Sequence, residues 1–131
     1  MKCKLLFCII IFSACTSQHY TPATSAIEAI TAFMEACKLG DFKKANFYML
    51  QDEENKKLLK EAQNKFYQYD LEEKRQLASA SLQNISIENL SATEVIIYYN
   101  NSSDKERRKV KAILNNNTWL IDFKYTFNPN L

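Results

Sequence analysis

At Leu82 the spacing of apolar residues changes from helical to alternating, and this change constrains the fold more than any other feature of the 131-residue chain. Before it, Ile27, Ile30, Phe33, Met34 and Cys37 recur at helical spacing. After it, residues 82–87, 93–99, 107–114 and 118–127 are rich in Ile, Val and Tyr and are separated by Asn and Ser clusters, which reads as four strands. Helices first and strands afterwards do not alternate into a parallel sheet. They predict an α+β domain in which N-terminal helices pack on a curved antiparallel sheet of about four strands.

Local signals mark the elements. Ser25 and Glu28 form a capping box that opens a first helix, and Gly40, the only glycine, closes it as the residue after the C-cap. Asp41 restarts a second helix with Phe42, Ala45 and Met49 on one side. Asp52 caps a third, with Glu53 and Glu54 in its first turn and Leu58, Leu59, Ala62 and Phe66 as its apolar stripe. A short fourth helix runs from Asp70, paired with Glu73, to about Ala80. The last two strands can be registered by hand. A two-residue Asn116-Asn117 turn sets Leu114 opposite Trp119, Ala112 opposite Ile121 and Val110 opposite Phe123 on an apolar face, while Lys111 meets Asp122 on an outward charged face.

The first fifteen residues read MKCKLLFCIIIFSAC. Lys2 and Lys4 precede an apolar run over 5–12, and Ser13-Ala14 is a small-residue cleavage site, which is the pattern of an export signal. The run is far shorter than the roughly 20 apolar residues of a membrane-spanning helix. Phe12-Ser13-Ala14-Cys15 resembles a bacterial lipobox, with Phe12 in place of the usual Leu. That resemblance implies cleavage before Cys15 and acylation of Cys15, including palmitate; the alternative is an ordinary secretory signal, for which Ser13-Ala14 alone suffices. The organisation expected is a lipoprotein signal peptide over 1–14, a lipidated Cys and tether over 15–25, and one domain over 26–131. Two or three acyl chains make anchoring to a bilayer effectively permanent, where one chain does not.

Removal of residues 1–14 takes away Lys2 and Lys4 and leaves fifteen basic against fifteen acidic residues. The basic footprint of a nucleic-acid binder is missing, so no nucleic-acid partner is expected. Cys37 then stands beside Cys15 alone, so no internal disulfide framework is expected, and at helical spacing Cys37 reads as core. His19, the only histidine, lies in the tether, which argues against His-dependent catalysis and most zinc sites. No cofactor and no metal site are expected.

The lipobox, the stretch Phe33…Gly40-Asp41-Phe42…Ala45 and a sheet closing on Trp119-Leu-Ile-Asp together resemble small bacterial lipoproteins with a nuclear-transport-factor-2-like (cystatin-like) domain. The resemblance covers most of the chain after the signal, with residues 52–80 matching least and Asn117-Thr118 standing where a Gly often precedes the closing Trp. It implies a curved sheet around a long first helix, a cone-shaped cavity, and dimerisation through the sheet. Relatives use that cavity as a ketosteroid-isomerase-type active site, as a ligand pocket, or only as packed core.

Two functions follow as expectations. The first is a membrane-anchored envelope lipoprotein, at the outer membrane facing the periplasm, whose domain is a non-enzymatic module binding a small apolar ligand or a protein. The second is a small-molecule enzyme using the cone cavity, which needs an acid facing a Tyr there. No residue is assigned a catalytic role. Tyr98, Tyr99 and Tyr125, with Phe127, are candidates for a binding mouth, against the plainer reading that strand aromatics are core. Arg107, Lys109 and Lys111 share one face of their strand and are candidates for meeting anionic headgroups or an acidic partner, against the plainer reading of lysines that guard an edge strand.

Overall fold

The computed structural model describes residues 19–127. The export signal, Cys15 and residues 128–131 lie outside the described residues.

Helix α1 (Ala26–Leu39) starts where Ser25 Oγ accepts the Glu28 N–H at 3.1 Å. The reciprocal half of the expected capping box is moved by one residue. Glu28 carboxylate accepts chiefly from Thr24, from its N–H at 2.6 Å and from its hydroxyl at 2.7 Å, ahead of the Ser25 N–H. At the other end Gly40 takes a left-handed φ of 77°, and the Asp41 N–H bonds Ala36 C=O at 2.9 Å, the six-to-one bond of a Schellman motif. Asp41 then caps α2 (Phe42–Phe47), Asp52 caps α3 (Glu53–Gln68), and a full Asp70/Glu73 capping box opens α4 (Leu71–Ser79).

The sheet is an antiparallel meander of β1 (Leu82–Asn89), β2 (Glu94–Asn101), β3 (Arg107–Asn115) and β4 (Thr118–Asp122), in that spatial order. With the helices packed on its curved face, the fold class is the α+β one expected. Asn116 and Asn117 both have positive φ, 48° and 59°, as a two-residue primed turn requires, and Leu114–Trp119, Ala112–Ile121 and Lys111–Asp122 are paired as registered by hand.

Two expectations about this strand pair are corrected. The fourth strand ends at Asp122, and the Val110–Phe123 pair does not form, because the chain turns into a 3₁₀ segment, Phe123–Thr126, whose Lys124 N–H is taken by Asn55 Oδ1 at 2.7 Å. Asp122, expected to face outward into solvent, is 6% exposed, because Asn55 at the start of α3 and Lys124 close over it.

Phe33, Ile30, Met49, Ile97, Ile121 and Val110 fill the space between α1 and the sheet, and the Phe33 and Phe123 rings meet at 5.1 Å. The cone interior is therefore packed core. Residues 20–24, within the stretch read as tether, are docked on the domain. Tyr20 stacks against Phe47 with centroids 5.4 Å apart, Thr21 C=O accepts the Tyr48 hydroxyl at 2.7 Å, and Ala23, 3% exposed, accepts the Trp119 N–H at 3.1 Å. His19 is exposed.

The edges of the sheet differ. β4 is covered by Ala23 and by the 48–50 segment: the Ile121 N–H bonds Tyr48 C=O at 2.8 Å and the Leu50 N–H bonds Ile121 C=O at 2.9 Å. β1 has β2 on one side and no strand on the other among the described residues.

Candidate functional site

The described residues form a cavity of about 440 Å³ on the far side of α1 from the packed cone. Its walls come from the last turns of α1 (Met34, Cys37, Lys38), from the apolar stripe of α3 (Ala62, Phe66), from Leu77 of α4 and from Leu82 and Ile85 of β1. Two local causes hold it open. Helix α4 has no fully buried residue and so stands away from the core, and Ala62 and Ala80 contribute little bulk to the walls. Its size lies in the range of small-molecule sites, and its lining is mostly apolar with a few polar groups, which is the usual make-up of such sites.

Phe66 is the best-braced wall. Its ring lies against Gly40, where a Cβ would come within 2.5 Å of it, meets the Phe42 ring edge-on at 5.7 Å, and has the Lys74 ammonium 5.4 Å above it. Lys38 Nζ donates to Ala80 C=O at 3.0 Å and so ties α1 to the end of α4. Burial pushes the Cys37 thiol up to about 12, which favours the protonated form at neutral pH and makes it an apolar part of the wall. Glu35, Lys65 and Tyr69 also line the cavity. Cys37 reads as core, and Met34, Ala62 and Phe66 lie on the apolar faces of their helices, but nothing in their periodicity distinguishes a filled wall from an open one.

The residues singled out from sequence fall on both sides of the sheet. Tyr99 points into the core, 3% exposed, and leaves the candidate mouth; burial raises its hydroxyl above the usual range. Tyr98, Arg107, Lys109, Lys111 and Tyr125 come together on the opposite, outer face. The Arg107 guanidinium sits 5.2 Å from the centre of the Tyr98 ring, and the ammonium groups of Lys111 and Lys109 sit 4.7 and 5.6 Å from that of Tyr125. Arg107 also donates to Ser86 Oγ at 2.9 Å, and the Tyr98 hydroxyl donates to Glu88 at 2.7 Å, which raises the Tyr98 hydroxyl. Tyr125 itself is 6% exposed beneath its lysines, so it serves as a platform for them; the exposed Phe127 instead packs its ring on Phe123 at 5.1 Å.

Arg108, pointing the other way, is fully engaged by Asp104 at 2.6 Å and Glu106 at 3.3 Å, and holds the Asp104 carboxyl down to about 2. Among the described residues no ion pair involves Arg107, Lys109 or Lys111. The reading of these lysines as guards of an edge strand is corrected, since β3 is paired on both sides. Among the described residues no group of three or more His, Cys, Asp or Glu could hold a metal ion. No helix among them is long and apolar enough to cross a membrane. Compared with protein-family models and with curated proteins, the chain matches none.

Proposed function

We propose that the chain is a lipid-anchored envelope protein whose domain is a binding module, receiving a small apolar ligand or an apolar protein segment in the cavity between α1, α3, α4 and β1. The observation that carries this reading is the cavity itself: about 440 Å³, walled by Met34, Cys37, Phe66, Leu77 and Leu82, with a thiol that burial keeps protonated. Its apolar walls favour a ligand that gains by leaving water. The resemblance of Phe12-Ser13-Ala14-Cys15 to a lipobox supports the anchor, with Cys15 as the acylated residue.

Two measurements test it. Intact mass of the membrane-extracted protein beside a Cys15→Ala variant is expected to show lipid mass on a chain starting at Cys15, lost in the variant; a chain without lipid overturns the anchor. Binding of a solvatochromic apolar dye is expected in the wild type and abolished by Ala62→Phe, which fills the cavity while leaving the far core untouched. Dye binding unchanged by Ala62→Phe overturns the cavity as the site. Turnover of a ketosteroid-type substrate by the wild type overturns the non-enzymatic reading.

A further inference from the structure

The outer sheet face carries three cations with no carboxylate partner among the described residues, on the strand where an edge-guarding role is excluded by the topology. Alternation along β3 puts Arg107, Lys109 and Lys111 on this face, and the rings of Tyr98 and Tyr125 hold the charged heads in a row. The acidic groups nearest them make no ion pair with the three cations among the described residues. Glu88 accepts the Tyr98 hydroxyl, Asp122 is closed in by Lys124 and Asn55, and Glu94, at the start of β2, is the diagonal neighbour of Lys111 across the ladder. Cations resting on amphipathic tyrosine rings are suited to a surface that is anionic outside and apolar beneath.

The position of the chain's entry into the domain says which anionic surface this is. Tyr20 to Ala23 lie along the covered border of the sheet, where Ala23 bonds Trp119 of β4, and Lys111 is one strand in from that border, opposite Asp122. Only five residue steps separate Cys15 from Tyr20, a reach of about 18 Å when extended. A chain held by Cys15 therefore keeps the domain close enough to the bilayer for this face to reach its headgroups.

We infer that Arg107, Lys109 and Lys111, seated on Tyr98 and Tyr125, dock the domain onto the anionic lipid headgroups of the membrane that holds its anchor. This rests on the lipid anchor proposed above. Docking fixes the outer face against the bilayer and leaves the cavity, on the helix side of the sheet, turned away from it.

The test uses the full membrane-extracted protein reconstituted into vesicles of phosphatidylcholine alone or of phosphatidylcholine with phosphatidylglycerol. The readout is the rate at which an amine-acylating reagent modifies Lys109 and Lys111, with Lys57 and Lys60 on the exposed side of α3 as internal controls. With phosphatidylglycerol the two β3 lysines are expected to be protected roughly 30- to 150-fold at low salt, the product of about a fivefold preference for each of two to three charges. High salt is expected to abolish the protection. The controls are expected to react at the same rate in both vesicles. Replacing Arg107 alone with Glu is expected to reduce the protection of Lys109 and Lys111 without altering the thermal midpoint, since its side chain is exposed.

Equal rates in the two kinds of vesicle on a chain shown by mass to be acylated overturn the docking face and leave the anchor standing. Protection by added phosphatidylglycerol vesicles on a chain that carries no lipid mass overturns the anchor and leaves the face standing. Protection by a polyglutamate peptide and by neither vesicle overturns the lipid assignment in favour of an acidic protein partner.

Discussion

Asn55 and Asp122, 67 residues apart in sequence, are joined by a hydrogen bond of 2.9 Å from the Asn55 amide to the Asp122 carboxylate, at a point where the Asn55 side chain has no exposure. The same amide donates to Asp52 at 2.8 Å and its oxygen accepts the Lys124 N–H, so one buried side chain links the start of α3, the end of β4 and the 3₁₀ segment. Lys124 Nζ closes the group by donating to Asp52 and Asp122, both at 2.7 Å.

Asn55→Ala is expected to destabilise the domain by about 3 kcal/mol, since it leaves a buried carboxylate short of a donor and the Lys124 N–H without its acceptor, each omission costing roughly 1–3 kcal/mol. Asn55→Asp is expected to cost more at neutral pH, where it crowds a third carboxylate against Asp52 and Asp122, and less as the pH falls toward 4. Chemical denaturation of both variants at two pH values checks this. Asp and Ala variants with the same pH response would be the contrary result.

The pH dependence has a definite sign. At Asp52 burial alone would raise the carboxyl, but the Asn55 N–H and the Lys124 ammonium outweigh it and hold it low. At Lys124 burial alone would lower the ammonium, but Asp122 and Asp52 outweigh it and hold it high. A lowered acid stabilises above its unfolded value of about 3.9 and loses that contribution as pH falls through the folded value; a raised base stabilises below about 10.5 and loses it as pH rises through the folded value. The difference in thermal midpoint between wild type and Lys124→Met is therefore expected to be widest near neutrality and to narrow below about pH 4 and above about pH 10.5. A difference that stays constant with pH contradicts the ion pairs.

Gly40→Ala is expected to cost about 1–3 kcal/mol, because a Cβ at φ 77° is strained and would strike the Phe66 ring at 2.5 Å. The second cause can be separated from the first. With Phe66→Leu already in place the ring is gone, so the added cost of Gly40→Ala is expected to fall toward that of the backbone strain alone, read as non-additivity of denaturation midpoints.

Asn117→Gly is expected to stabilise by about 0.5–1 kcal/mol, since Asn117 already holds the left-handed φ of 59° that Gly adopts freely at the second position of a primed turn. Asn117→Val is expected to destabilise. Thermal melts of the two variants should move in opposite directions; a fall in both would mean that the Asn side chain, not the backbone, matters there.

The architecture was readable from local rules because each was obeyed locally. Ser25, Asp41, Asp52 and Asp70 cap where their spacing says, Gly40 ends its helix, and the Asn116-Asn117 turn sets the register of β3 and β4. The misreadings at the end of β4 are cases where a distant partner overrode a local preference. Asp122 alternates outward on its strand, yet Asn55 and Lys124 arrive to bury it, and Asn55 stands at the head of the stripe that Leu59, Ala62 and Phe66 continue, where an apolar count passes over a polar residue. Phe123 continues the alternation but leaves the ladder because Lys124 finds a better acceptor in Asn55. The cavity was illegible for a different reason: period tells which residues turn from water, not whether the space they face is occupied. On the outer face, alternation alone grouped Arg107, Lys109 and Lys111, and it also predicts that Tyr98 and Tyr99 part company. The packing of Lys109 and Lys111 on Tyr125 depends on the 3₁₀ segment, which the strand pattern concealed.

The unequal edges of the sheet set an upper limit on how copies of this domain can associate through backbone pairing. With β4 already occupied by Ala23 and residues 48–50, each described domain has a single row of strand hydrogen-bonding groups to offer, along β1, where Ile85 and Ile87 are 40% and 45% exposed. A unit with one such row has a valence of one. Two copies joined there by a two-fold axis would exhaust each other's capacity, so edge growth terminates at the pair and cannot continue into a fibre.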